Sequence, residues 1–343
     1  METLELAIEQ IKKELPGMTL LENEPLAAHC SFRIGGPARA IAVPADAASL
    51  SHVCCILEEH KLAPLMLGNG TNILFPDEGL QEVLLISTEK LTKLFLLPDG
   101  AIYAEAGVSL SRLASFAQQN GLAGLEFASG IPGSLGGGCR MNAGAYGGEL
   151  KDVIESVVCY YLPEQALYEL SAEQCAFAYR SSRFSRIGGF VVLSAVLRLQ
   201  PGDPEEIAAR MRELNERRRD KQPLELPSAG SAFKRPEGHF AARLIEDCGL
   251  KGYRVGGAQV SEKHAGFVVN TGSATSHEVY DLMHHVRGVV YEQTGIVLEP
   301  EVVILAPDYR PEDRGPAVPR HRVTVNDWSA GTGAAPAPEA KEN

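Results

Sequence analysis

GLAGLEFASGIPGSLGGGCRMNAGAYGG, residues 121–148, carries ten glycines in 28 positions. Glycine gives up more conformational freedom than any other residue when a helix or strand forms, so this run reads as loop. A glycine-rich loop among short apolar strands is where a dinucleotide fingerprint would sit, and its spacing therefore decides the fold. Counting from Gly136 and Gly138, the third glycine of G-x-G-x-x-G would fall at Met141. The other cluster, LGNGTN (67–72), has Ile73 in the corresponding place, and G-x-x-x-x-G-K-[ST] occurs nowhere. Neither a Rossmann nor a P-loop sheet is indicated. What remains is a pair of loops whose bare amides suit either an anion-binding nest or a set of tight turns.

Outward from the run, the elements are short and mixed. Leu4, Ile8, Ile11 and Leu15 recur at helical spacing before Pro16-Gly17, which predicts a helix over 1–15. ARAIAV (38–43), APLMLG (63–68) and EVLLIS (82–87) read as strands around a helix presenting Leu50, Val53, Ile56 and Leu57. AIYAEAG (101–107) opens a second set, followed by a helix with Leu110, Leu113 and Phe116 that Gly121 ends. Strands resume as VIESVVCYY (153–161) and FVVLSAVLRL (190–199). DPEE (203–206) starts a helix, with Asp203 as N-cap, Pro204 first, Glu206 closing a capping box, and the basic run RRRDK at its end.

Past PSAGSAFKRP (227–236) come a helix near Phe240, Leu244 and Ile245 and strands near 253–260 and 266–270. A helix opened by Thr275-x-x-Glu278 and a last strand, EVVIL (301–305), follow. The pattern is α+β, in α/β segments 1–87, 88–200 and 205–306, with a Pro-, Ala- and Gly-rich tail, 308–343, expected to be disordered.

Composition excludes several functions. Lys and Arg total 32 against 44 acidic residues, a net charge of -12, which argues against a general nucleic-acid binder but leaves room for a local anion site. Seven cysteines, with one adjacent pair and no C-x-x-C, indicate neither a disulfide framework nor a zinc knuckle. The acidic, amphipathic N-terminus has no signal-like apolar core, and no apolar run is long enough to span a bilayer. A cytoplasmic protein without membrane insertion is expected.

Ser231 lies between Gly230 and Ala232, with Lys234 and Arg235 close behind. The nucleophile elbow G-x-S-x-G needs glycine where Ala229 and Phe233 stand, and the nearest histidine in sequence, His239, opens a helix. A phosphate contact, a proton donor and a plain turn residue all remain open. Tyr179-Arg180 suits carboxylate or phosphate recognition, or a surface ion pair. Glu299 and Glu301 flank Pro300 at a strand start. His277, Asp281, His284 and His285 share a helix, but adjacent residues diverge by about 100° and no metal site is expected.

Eight stretches, in order, resemble the UDP-N-acetylenolpyruvoylglucosamine reductase family. They are SFRIGGPA (31–38), LGNGTNILF (67–75), GLEFASGIPGSLGG (124–137), MNAGAYGGE (141–149), FAYRSSRF (177–184), KQPLELPSAGSAFKRP (221–236), LIEDCGLKGYRVGGAQVSEKHAGFVVN (244–270) and LEPEVVIL (298–305). FKRPEGHFAARLIE (233–246) runs on without an insertion, as in the shorter subtype of the family, so no substrate-clamping tyrosine is assigned. Cys30 and Cys139-Arg140 depart from the residues usual in the family.

The resemblance implies the flavin-binding fold of the vanillyl-alcohol oxidase group, in which 1–87 and 88–200 clasp FAD and 205–306 closes over the substrate. The loop of Gly68, Asn69, Gly70, Thr71 and Asn72 would cradle the diphosphate by its backbone amides with the loop of Gly130, Ile131, Pro132, Gly133, Ser134, Gly136 and Gly137, in which Pro132 itself has no N–H to donate. Asn142, Ala143 and Gly144 would complete the cradle. The implied reaction, a step of peptidoglycan precursor synthesis, is NADPH-dependent, FAD-mediated reduction of enolpyruvyl-UDP-N-acetylglucosamine to UDP-N-acetylmuramate. Arg180 and Glu301 would hold and polarise the substrate carboxylate, Glu301 with a raised pKa, and Ser231 would donate a proton. Tyr179, Lys221, Gly230 and Arg235 would contact the substrate. Partners are then the UDP-sugar and NADPH, with the chain a monomer or weak oligomer. Two other readings fit the same scaffold: a different FAD oxidase or dehydrogenase, and a non-catalytic sugar-nucleotide-binding protein.

Overall fold

The computed structural model describes residues 2–306 and 308. Helix α1 (Glu2–Glu14) buries Leu4, Ala7, Ile8 and Ile11. Strand β1 (Thr19–Pro25) pairs antiparallel with β2 (Pro37–Val43). Helix α2 (Ala47–Glu59), opened by an Asp46–Ser49 capping box, leads on to β3 (Leu65–Leu67), β4 (Ile73–Leu74) and β5 (Leu80–Ser87). The sheet runs β1-β2-β5-β3, with β5 parallel to both β2 and β3. Both faces are covered, which is why β2 and β5 read as apolar runs without alternation. Ala40, Ala42, Leu84 and Ile86 pack with the two helices. Their neighbours Ile41, Val43, Val83 and Leu85 point the other way, into a core built with residues from 229 to 305.

The second segment holds β6 (Leu94–Leu96), β7 (Ile102–Glu105), α3 (Leu110–Gln119), β8 (Leu122–Ala123) and α4 (Leu135–Met141). Then come β9 (Gly144–Ala145), β10 (Gly148–Glu149), β11 (Ile154–Tyr161), β12 (Ala166–Ser171), α5 (Arg183–Arg186), β13 (Phe190–Leu197) and β14 (Gln200–Pro201). An antiparallel sheet runs β12-β11-β13-β7-β6. The glycine run is not all loop, because Gly136, Gly137 and Gly138 lie inside α4. A Cβ on Gly138 would stand 2.7 Å from Leu150 Cδ1, and one on Gly136 would stand 2.9 Å from Ala106 Cβ. Close packing overrides the poor helix propensity of glycine there.

The third segment comprises α6 (Pro204–Lys221), α7 (Ala241–Asp247), β15 (Arg254–Val255), β16 (Ala258–Val260), β17 (Val268–Asn270), α8 (Ser276–Thr294) and β18 (Val303–Ile304). Asp203 caps α6 by accepting from the Glu205 and Glu206 amides; the reciprocal bond expected from the Glu206 side chain is not made. The Thr275–Glu278 box on α8 forms in full, and Gly295 ends that helix at φ +72°. Strand β18 returns to pair parallel with β4 of the first segment. Among the described residues no helix is long and apolar enough to cross a membrane. The tail expected to be disordered lies, beyond Asp308, outside the described residues.

Candidate active site

The β4–β18 pairing brings the first glycine loop to the end of the third segment. Val303 donates to the Asn72 carbonyl at 3.1 Å, and Asn72 Nδ2 donates to the Glu301 carbonyl at 3.1 Å. The stretch after Gly230 is clamped from both sides. Ser231 bridges Phe267, and the Ala232 amide donates to the Gly266 carbonyl at 2.8 Å. On the other flank the Glu301 amide donates to Ala232 at 2.9 Å, and the Lys234 amide to Glu299 at 2.8 Å. Ser231 and Glu301 are therefore fixed one residue apart across a ladder that links three chain regions.

From the second segment, Arg180 Nε reaches Glu301 Oε1 at 2.5 Å and Arg180 Nη1 donates to the Gly144 carbonyl at 3.2 Å. The Glu301 side chain is only 10 % exposed. Burial raises its carboxyl above the ordinary glutamate range, and the Arg180 and Lys234 charges offset this only in part. The upward direction expected from sequence holds, with burial as its cause. Glu299 differs: its side chain is 70 % exposed and paired with Lys234 at 3.2 Å. Tyr179 accepts a bond from the Arg235 amide at 3.1 Å, tying the arginine loop to the serine loop.

The loops read as a cofactor cradle have the form of one. Gly70 sits at φ +60°, and a Cβ there would lie 2.0 Å from the His29 carbonyl, so only glycine fits. Ser134 Oγ is buried without a hydrogen-bond partner, and a Cβ on Gly68 would stand 2.5 Å from it. A buried, unpaired hydroxyl behind a bare backbone is what a site built for an exogenous polar group leaves behind. Neither 68–72 nor 130–137 contains an acidic side chain. The residues thus fit the diphosphate of a flavin dinucleotide. A cavity of about 670 Å³, lined among others by Gly68, Asn69, Thr71, Pro132, Gly230 and Phe267, opens beside them.

Not every residue singled out in the sequence joins this cluster. Lys221 is exposed at the last position of α6, where its charge helps hold the His264 imidazole below its ordinary range after burial has done most of that. Asn142 works inside the fold: its side chain bonds Glu149, the Ala178 carbonyl and the Lys151 amide. The unusual Arg140 bonds the Phe184 carbonyl at 2.6 Å and accepts from Ser182 at 2.7 Å, bracing the loop of Arg180. Arg218 and Gln222, both cavity-lining, escaped the sequence reading. Their i,i+4 spacing with Asn215 one turn earlier is the signal that marks a shared face of α6.

Comparison with known proteins adds to this geometry. Residues 38–162 match the family model of an FAD binding domain, and residues 222–305 match that of the UDP-N-acetylenolpyruvoylglucosamine reductase C-terminal domain. A UDP-N-acetylenolpyruvoylglucosamine reductase of Caldanaerobacter subterraneus subsp. tengcongensis is 46% identical over 290 residues, covering 84% of this chain and 94% of that one. One from Clostridioides difficile is 46% identical over 269 residues, 78% and 88% of the two chains. The crystal structure of the Thermus caldophilus UDP-N-acetylenolpyruvylglucosamine reductase superposes with a TM-score of 0.71 at 32% identity, over 84% of this chain and 99% of that one.

Proposed function

The chain belongs to the UDP-N-acetylenolpyruvoylglucosamine reductase family, and on that premise we propose the roles of its residues in reducing enolpyruvyl-UDP-N-acetylglucosamine to UDP-N-acetylmuramate. It is a flavin-dependent oxidoreductase of peptidoglycan precursor synthesis, with FAD as cofactor and NADPH as co-substrate. The chemistry that bound FAD supplies is hydride transfer, from NADPH and then to the enolpyruvyl double bond. Negative charge consequently develops toward the substrate carboxylate.

Arg180 receives that carboxylate through its guanidinium nitrogens, held in place by Glu301 and the Gly144 carbonyl. Burial raises the Glu301 carboxyl toward its protonated form, in which it would donate a hydrogen bond where an ionised carboxylate would repel. Preorganised donors of this kind stabilise developing charge without reorganising at the moment of reaction. Ser231 delivers a proton to the carbon next to the carboxylate; the carbanion there is basic enough to take it from a hydroxyl. Tyr179, Gly230 and Arg235 contact the sugar nucleotide. Loops 68–72, 130–137 and 142–144 hold the cofactor, 1–87 and 88–200 act as its two halves, and 205–306 carries the substrate face. The protein works in the cytoplasm as a monomer or weak oligomer.

The single observation that supports this reading best is the partly buried Arg180–Glu301 pair beside the Ser231 ladder. Its test is an assay of NADPH oxidation in the presence and absence of the enolpyruvyl sugar nucleotide. Turnover that requires the sugar nucleotide and yields UDP-N-acetylmuramate is expected. Oxidation of NADPH at the same rate without it would overturn the reading.

A further inference from the structure

Among the described residues Arg218 is a cation without a counter-charge. It stands in the last turn of α6, partly buried, on the wall of the cavity. Arg217 beside it pairs with Glu213 at 3.6 Å, the same carboxylate that Arg210, two turns earlier on α6, meets at 2.5 Å. Among the described residues Arg218 has no ion pair. Burial pushes its guanidinium below the ordinary arginine range, opposed only by the Tyr146 phenol. Arginine remains charged in proteins, so the guanidinium is a charge held ready in a partly dry place.

Its surroundings point toward a ligand. A Cβ on Gly130 would stand 3.1 Å from Arg218 Cδ, 3.7 Å from Nη1 and 2.5 Å from Asn215 Oδ1. The α6 face thus presses on the head of the GIPGS loop, and glycine at 130 is what lets it approach. Asn215 is itself fixed by a 3.2 Å bond to Ser129 Oγ. Two buried polar side-chain atoms of the described residues have no partner, Ser134 Oγ and Gln222 Oε1. Ser134 closes the same loop, and Gln222 lies one turn beyond Arg218 on the cavity wall. A cation, a hydroxyl that can donate and an amide oxygen that can accept match a group with both phosphoryl oxygens and N–H or O–H donors. A nucleotide diphosphate has both.

We infer that Arg218 is the electrostatic anchor for a nucleotide diphosphate seated in this cavity. This rests on the reading of the cavity as a nucleotide site. The unpaired charge burdens the ligand-free protein and is relieved when phosphoryl oxygens arrive. FAD and the UDP-sugar share that chemistry, and the experiment separates them.

The protein stripped of flavin is titrated with FAD and riboflavin, and the FAD-loaded protein with UDP-N-acetylglucosamine and uridine, in wild type, Arg218→Met and Arg218→Lys. Failure of the wild type to bind FAD would reject the cavity reading itself. With wild-type binding in hand, Arg218→Met should weaken one diphosphate ligand tenfold or more and leave its phosphate-free counterpart within twofold. Loss confined to FAD assigns the anchor to the cofactor, and loss confined to UDP-N-acetylglucosamine assigns it to the sugar nucleotide. Arg218→Lys, which keeps the charge but not the planar fork, should show a smaller loss of threefold or more and answers alone if Arg218→Met does not fold. Flavin-free Arg218→Met should melt no lower than wild type, whereas a packing role would lower its melting temperature. Unchanged affinity for both diphosphates, or equal loss for their phosphate-free counterparts, overturns the inference.

Discussion

Arg180 Nε and Glu301 Oε1 meet at 2.5 Å across 121 positions of sequence, and the Arg180 backbone is held at φ +50° where they meet. A left-handed arginine costs on the order of 1 kcal/mol that a glycine would not, so the side chain is retained there against a local preference. Arg180→Gly should therefore fold with a melting temperature within a few degrees of wild type. Turnover should fall at least about 100-fold, equivalent to roughly 2.7 kcal/mol of transition-state stabilisation. Thermal melting with steady-state kinetics checks both; a large drop in melting temperature would mean that the pair mainly holds the fold.

Glu301 and Glu299 differ in burial, and their amide variants should differ in kind. Glu301→Gln should lower kcat by an order of magnitude or more, and Glu299→Gln, at an exposed pair, by less than about twofold. The pH dependence of stability gives a second measure. A folded pKa above the unfolded value means that the Glu301 contribution is complete below the ordinary glutamate pKa and is lost as pH rises through the raised value. Glu301→Gln cannot ionise, so its melting temperature relative to wild type should climb over that window. A flat difference would contradict the raised carboxyl.

Ser231→Ala separates the two half-reactions. NADPH should bleach the flavin absorbance at the wild-type rate, while reoxidation by the enolpyruvyl substrate should slow by about 10²–10⁴-fold, the range of a lost general acid. Rapid-mixing absorbance resolves the steps. Equal slowing of both would remove Ser231 from proton transfer.

The cradle gives a stability prediction. Gly100 and Gly70 both have positive φ, +84° and +60°, but only Gly70 has a backbone carbonyl 2.0 Å from a would-be Cβ. Gly100→Ala should cost about 1 kcal/mol from backbone strain alone. Gly70→Ala must also displace the His29–Cys30 backbone and should cost more than about 2 kcal/mol, with weaker FAD retention. Denaturant unfolding measures the first effect and flavin fluorescence the second.

Local features were legible in the sequence and long-range ones were not. The helix caps at Asp46 and Thr275 lie within four residues, so the second could be read as a string. The two glycine clusters failed both nucleotide fingerprints and left a nest and a set of tight turns open; only the family resemblance implied a cofactor cradle and roles for Arg180, Ser231 and Glu301. Helix α4 was hidden because its glycines oppose helix formation and only Ala106 and Leu150, packed against it, explain them. Arg218 was hidden inside a basic run that looks solvated; which of three arginines turns inward depends on α6 docking on Gly130. The β4–β18 pairing joins segments some 230 residues apart, beyond any periodicity.

That pairing has a consequence for how the protein comes into being. Translation delivers the chain in one direction, and Asn72 emerges long before the strand it serves. Until Val303 and Leu305 leave the ribosome, Asn72 and Leu74 offer carbonyls with no protein donor, and one face of the first sheet lacks most of its covering core. Arg180 likewise waits for its carboxylate. The nascent protein must therefore carry an open apolar sheet face through most of its synthesis, exposed to chaperones and to aggregation, and the Arg180–Glu301 pair closes only as β18 docks.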